Sequence, residues 1–379
     1  MLLNPLVEKI RIEIALQGAI PFARFMELAL YCPDYGFYEK ESDTVGRSGH
    51  FRTSVSVGSL FGELMAFQFV QWVEESQAQN QSSDDEPPAS GTLQIVEAGA
   101  HDGKLAADIL GWIQAKRPQQ FATLQYYIVE PSPRRREWQQ TKLAAFSSRV
   151  CWCDSLGDQR LAAQSSRSYR IVFGNELLDA MPVQRLGWDA KCRRWFEWGV
   201  NVAGEGFDWV RLPLSGVISV PSSVVPGELL ELLPDDFTIE ICPAAEAWWG
   251  EAARIVIQGR LLTLDYGLTN EEFFAPHRPS GTLRGYNRHR YADNVLVSPG
   301  ELDITSHVNF SAILRAGELS GLRTEQFISQ TQFLTGIAAR TWPDIKLFGA
   351  WTPAMTRQFQ TLTHPDHFGR AFKVLVQSK

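Results

Sequence analysis

The residues IVEAGAHDGKLAADIL, positions 95–110, join three pieces. An apolar run ends in Glu97, a turn carries Gly99 and Gly103, and apolar side chains then recur at helical spacing from Leu105. Strand, glycine turn and helix in that order open a parallel α/β sheet, whose ligand crevice lies beyond the carboxyl ends of the strands. A dinucleotide fingerprint, G-x-G-x-x-G, asks for glycine at 99, 101 and 104; the chain has Gly99, His101 and Lys104. The pattern acid-x-G-x-G-x-G asks for Glu97, Gly99, a glycine at 101 and Gly103, and only His101 departs. This second pattern suits S-adenosylmethionine, which has no pyrophosphate to cradle and whose ammonium and sulfonium favour a carboxylate such as Glu97. Gly99 and Gly103 leave room for a ligand to approach the backbone. His101 tolerates a positive φ better than most residues.

Working outward, short apolar runs at 93–98, 125–130, 149–153, 169–175 and 260–265 read as strands, and 103–116 and 133–146 as helices. Their alternation predicts a Rossmann-like sheet of parallel strands covered on both faces. Residues 1–75 read as mainly helical. Residues 76–91, SQAQNQSSDDEPPASG, read as a polar, proline-broken loop. Segment 183–235 begins with alternating polar and aromatic residues and turn-like WDAKC and AGEG, predicting antiparallel hairpins. The expected division is therefore an N-terminal helical cap over 1–75, a sheet core over 92–182 and 236–379, and a hairpin insertion over 183–235.

A net charge of -7 argues against a protein held to nucleic acid by phosphate contacts. No window of 18 uncharged apolar residues and no signal-peptide pattern is present, and five cysteines without metal-like spacing suit a reducing compartment. The expectation is a cytoplasmic protein with no membrane span. His364 and His367 have loose metal-like spacing but no further ligands, so no metal is expected.

More acids follow at the ends of successive strands. Glu130, in YYIVEPSP, stands where a carboxylate accepts ribose hydroxyls. Asp154 follows the third strand, where an acid accepts the adenine amino group. Taken singly, each reads more readily as an ordinary surface or helix-capping residue; the ordered series carries the cofactor assignment. GNELLDAMPV ends the fourth strand with Asn175, Glu176 and Asp179. Methyl transfer from an activated sulfonium needs chiefly alignment and electrostatics. An arginine acceptor is always protonated, so carboxylates gripping its guanidinium are the expected catalytic groups. Glu176 and Asp179 fit that role, with Asn175 as an acceptor for an amine or backbone group. For Asn175 and Asp179 the plainer reading is turn shaping and helix capping. Asp265 at another strand end and His307, as a proton acceptor or a structural histidine, complete the candidates. Arg284, Arg288, His289 and Arg290 either line a peptide groove or lie solvated.

Several phrases then fall in a familiar order: YCPDYGFY (31–38), FRTS…LFGEL (51–64), IVEAGAHDGKL (95–105), VEPSP (129–133), GNELLDAMPV (174–183), LLTLDYG (261–267), GTLRGY (281–286) and DITSHVNF (303–310). Over residues 20–320 the chain resembles the MidA family of S-adenosylmethionine-dependent methyltransferases. The resemblance implies a class I methyltransferase core with family-specific insertions and a protein substrate. Mitochondrial members are similar to protein arginine methyltransferases and assist complex I assembly. The chain departs from the family pattern at His50, Val55, Ser56, His101 and Asn309. Two rivals accompany the methyltransferase reading: a non-catalytic assembly or binding protein on the same fold, and an NAD-linked oxidoreductase.

Overall fold

The computed structural model describes residues 4–40, 53–80, 92–162, 168–214, 227–273, 275, 277–287 and 290–379. His50, Arg288, His289 and the expected loop over 81–91 lie outside the described residues. The chain divides into two compact units: 52–177, 248–266 and 316–379 in one, and 1–51, 178–247 and 267–315 in the other.

The first unit holds strands β1 (Leu93–Ala98), β2 (Gln125–Val129), β3 (Val150–Cys153), β4 (Tyr169–Asn175), β5 (Gly259–Leu268), β6 (Arg323–Ser329) and β7 (Phe372–Ser378). Their order is 3-2-1-4-5-7-6. Strands β1 to β5 are parallel, and β7 runs antiparallel to both β5 and β6. The dinucleotide sheet has order 3-2-1-4-5-6, so the difference is one antiparallel strand slipped in beside β5. Alternate residues of the central strands, including Ile95, Ile128, Phe173, Leu264 and Val374, pack against the helix Leu60–Asn80, the helix Lys104–Lys116 and the helix Gln330–Thr341. The central strands β1 and β4 are buried on both faces, which explains their continuous apolar runs.

In the second unit, strands Gln184–Asp189, Arg194–Ala203 and Gly206–Leu212 form the expected antiparallel hairpins. Thr238–Ile241 pairs with the first of them, and Ile20–Pro21 pairs with Gly199 and Val200. A smaller sheet joins Arg284–Asn287 to Arg290–Tyr291 and Asp303–Thr305. Helices Pro5–Gln17 and Phe22–Tyr31 bury Leu6, Ile10, Phe25 and Met26 against this unit's core.

The structure redraws three of the expected boundaries. Residues 76–80, expected in a loop, continue the helix Leu60–Asn80, because the apolar face built by Phe69, Val70 and Val73 anchors the turns that follow. The expected cap over 1–75 is divided: its first part belongs with the antiparallel strands, while the helix Leu60–Asn80 belongs with the parallel sheet. Residues 267–315, expected within the core, belong with the antiparallel unit, where Gly267 and Leu268 pair with Val308 and Asn309.

Candidate functional site

The turn after β1 alternates into the left-handed region at Gly99 (φ 75°), His101 (φ 47°) and Gly103 (φ 83°). His101 therefore takes the conformation that the missing glycine would supply. Gly103 donates its N–H to the Ala100 carbonyl at 2.8 Å, and Asp102 Oδ1 accepts the Lys104 N–H at 2.9 Å, closing the turn onto the helix. A Cβ at Gly99 would stand 3.0 Å from Leu177 Cδ1, and one at Gly174 2.9 Å from Leu177 Cδ2. The glycine at 99 thus serves the packing of Leu177 as well as the backbone conformation.

Glu97 is buried at the tip of β1, and its Oε2 accepts the Tyr126 hydroxyl at 2.6 Å. Burial pushes its carboxyl up to about 7, against the Tyr126 hydrogen bond and with help from nearby Asp102. Burial holds the Tyr126 hydroxyl well above its ordinary value. Asp102 is held near 2: its burial works upward, but hydrogen bonds from His101 and the Lys104 backbone outweigh it.

Glu130 lies just past β2, also buried. Oε1 accepts the Ser132 N–H at 3.0 Å, Oε2 accepts Gln139 Nε2 at 3.1 Å, and Arg135 Nε lies 3.3 Å from Oε1. Ser132 caps the helix Pro133–Lys142, with proline at its first position, as the sequence predicts. Gln139 on that helix also donates to the His101 carbonyl at 2.9 Å. It thereby joins the glycine turn to Glu130, so the two lie on one side of the sheet. Arg136 donates to the Glu130 carbonyl at 2.6 Å and pairs with Asp154, whose side chain is 77% exposed.

At the tip of β4, Glu176 adopts φ 52°. Its Oε1 accepts Asn175 Nδ2 at 3.1 Å and the Ser54 backbone N–H at 3.2 Å, while its own N–H reaches the Leu264 carbonyl at 2.9 Å. Asn175 Oδ1 is buried without a hydrogen-bond partner among the described residues. Ser54 sits in a short 3-10 turn where Thr53 and Ser56 form a reciprocal capping box. Ser56, one of the departures from the family pattern, therefore supplies the returning side chain of that capping box, a position that glutamate or glutamine commonly takes in helices. Asp265, fully buried one residue beyond the β5 neighbour of Asn175, accepts the Tyr266 N–H at 2.9 Å.

Two candidates belong to the other unit. Asp179 is buried, and its carbonyl accepts the Ser306 N–H at 3.0 Å, next to His307. Burial, with Arg284 adding to it, lowers His307 to about 4, leaving a neutral imidazole at neutral pH. Asn309 Oδ1 accepts the Ala312 N–H at 3.1 Å and so caps the following helix, a task asparagine performs as well as aspartate. Arg284 donates to the Leu283 carbonyl, and Arg290 lies exposed.

The sequence reading missed Tyr126, Gln139, Ser54 and Leu177. Ser54, Tyr126 and Leu177 stood inside the quoted phrases FRTS, YYIVEPSP and GNELLDAMPV, and only Gln139, in the polar helix PRRREWQQTK, stood outside them. None carried a signal of its own: the tyrosine belongs to an apolar run and the leucine stands beside three polar residues.

Residues 64–328 match a family model described as "Putative S-adenosyl-L-methionine-dependent methyltransferase". The chain is 25% identical over 399 residues to the mouse mitochondrial protein arginine methyltransferase NDUFAF7, covering 97% of this chain and 83% of that protein. It is 24% identical over 402 residues to the human NDUFAF7, covering 97% and 82%. A crystal structure from Burkholderia thailandensis bound to S-adenosyl-homocysteine matches with a TM-score of 0.78 and 30% identity, over 99% of this chain and 92% of that one. Among the described residues, no helix is long and apolar enough to cross a membrane.

Proposed function

Because this chain belongs to the MidA-type family of S-adenosylmethionine-dependent methyltransferases, we propose that it methylates nitrogen in a protein substrate, with arginine as the acceptor. The relatives that carry the name protein arginine methyltransferase support this choice. They are mitochondrial by name and lend no support to a cytoplasmic location.

The residues on the first unit fit the cofactor. Buried Glu130 provides the acid for the ribose, the 99–103 turn a backbone surface without bulk at Gly99 and Gly103, and Glu97 the carboxylate behind them. His101 lies within that turn. Asp154 is the candidate for the adenine amino group. Asn175, with a buried oxygen that no described residue satisfies, offers an acceptor for the cofactor's ammonium or the substrate. Bound S-adenosylmethionine supplies a methyl group already activated by positive sulfur.

The acceptor side rests on one observation: Glu176 is held in a left-handed conformation with one carboxylate oxygen anchored by Ser54 and Asn175. Such backbone costs of order 1–3 kcal/mol and is retained where function requires the geometry. A carboxylate so fixed binds a guanidinium through charge-assisted hydrogen bonds and concentrates positive charge away from the attacking nitrogen. Asp265, on the same unit as Glu176, is the further carboxylate for this task.

The test is methyl transfer from isotopically labelled S-adenosylmethionine to extract proteins, followed by residue analysis. Labelled methylarginine with wild type and none with Glu176→Gln is the expected result. Label on another residue type refutes the arginine assignment. Tight cofactor binding without label from either protein supports the rival reading of an assembly scaffold.

A further inference from the structure

We infer that Gln139 is a positioning residue for cofactor binding, locking the His101 turn and Glu130 into one register. The inference rests on the proposed ribose role of Glu130. Gln139 is fully buried on the helix Pro133–Lys142 and bonds three separate pieces of backbone and sheet. Nε2 donates to the His101 carbonyl at 2.9 Å and to Glu130 Oε2 at 3.1 Å, and Oε1 accepts Trp152 Nε1 at 2.9 Å.

The chemistry leaves the amide one orientation. An indole nitrogen only donates, so the amide oxygen must face Trp152. Both N–H groups of the amide are then committed, one to the turn and one to the acid. No other natural side chain of that length offers two donors and an acceptor in one plane. The Trp152 bond sets the amide plane, and the amide sets the distance between the turn carbonyl and the carboxylate.

The same contact bears on the departure at position 101. A histidine at φ 47° is strained where glycine is not. The hydrogen bond from Gln139 to the His101 carbonyl holds that peptide in place. The chain thus keeps the shape of the glycine turn through a side chain on the neighbouring helix. A Cβ at Gly103 would lie 3.5 Å from the Gln139 Cα and 3.3 Å from Leu143 Cδ1, so helix and turn are also in close contact.

Calorimetry of the full chain provides the test, with S-adenosyl-homocysteine, adenosine and 2′,3′-dideoxyadenosine as probes. Gln139→Leu should weaken S-adenosyl-homocysteine and adenosine at least tenfold. Dideoxyadenosine, which has no ribose hydroxyls for Glu130, should lose less than threefold. Restoring the turn with His101→Gly in the Gln139→Leu background should recover part of the lost affinity. Gln139→Glu keeps the acceptor for Trp152 but loses the donors, and should behave like Gln139→Leu, so a misfolded leucine variant does not end the test. Wild-type affinity in folded Gln139→Glu, or equal losses for adenosine and its dideoxy analogue, overturns the inference. If Glu130→Ala leaves S-adenosyl-homocysteine affinity unchanged, the ribose reading itself fails. If Glu130→Ala weakens binding but Gln139→Glu does not, only the inference fails.

Discussion

The tips of β2 and β4 both present a carboxylate, yet they are built in opposite ways. At β2, Glu130 follows an ordinary strand end and is gripped by Ser132, Arg135 and Gln139, each held by one capped helix. At β4, Glu176 sits in left-handed backbone beside a buried Asn175 oxygen that the described protein does not satisfy. An unstrained acid held in place by its neighbours suits a group that recognises the same ligand in every cycle. A strained acid with an unsatisfied neighbour suits one completed only by substrate. On the proposed function the two tips divide binding from chemistry, and substitutions should separate along that line.

The largest effect is expected at β4. Glu176→Gln keeps size and most hydrogen bonds but removes the charge, and should slow methyl transfer about 100-fold or more. Its affinity for S-adenosyl-homocysteine should stay within about twofold in calorimetry, since the proposed charge-assisted contact is to the acceptor. A matching loss of cofactor affinity would erase the distinction between the tips.

Glu97, behind the turn, sharpens the binding side through pH. Its folded carboxyl lies near 7 and its unfolded one near 4.5, so the native state holds the extra proton between those values. Stability from this group is accordingly lost as pH rises from about 4.5 through 7. Glu97→Gln should match wild type near pH 4 in denaturant unfolding and exceed it at pH 8 by up to about 3 kcal/mol. Parallel pH profiles for the two proteins would contradict the burial argument.

Glu130→Ala should weaken S-adenosyl-homocysteine about tenfold, the scale of charged hydrogen bonds to hydroxyls. Any labelled transfer should recover at saturating cofactor. Gly99→Ala should destabilise the fold by about 1 kcal/mol in urea unfolding, because alanine is strained at φ 75° and its Cβ would press on Leu177. The smallest change belongs to Asp154→Ala. Its partner Arg136 is shared with the Glu130 carbonyl and its side chain is solvated, so thermal unfolding should register less than about 0.5 kcal/mol.

The parallel strands were legible because burial on both faces writes them as continuous apolar runs, and β4 matches its expected span at both ends. The helix Pro133–Lys142 announced itself through Ser132 and Pro133. The sheet's far edge was not legible. Placing antiparallel β7 between β5 and β6 depends on pairing between distant segments, which leaves no local pattern. The same reason hid the pairing of Ile20 and Pro21 with Val200 and Gly199, and with it the division of the N-terminal segment between two units. Within the candidate site, acids at strand ends stood out as charges closing apolar runs. Gln139 and Tyr126 did not, since a buried polar side chain looks like a surface one until its neighbours are known.

A crystal structure of the chain with S-adenosyl-homocysteine tests the central claim most directly. The account predicts both ribose hydroxyls within hydrogen-bond distance of the Glu130 carboxylate and the homocysteine portion against the 99–103 turn. A ribose seated away from Glu130, with the turn untouched, would contradict it.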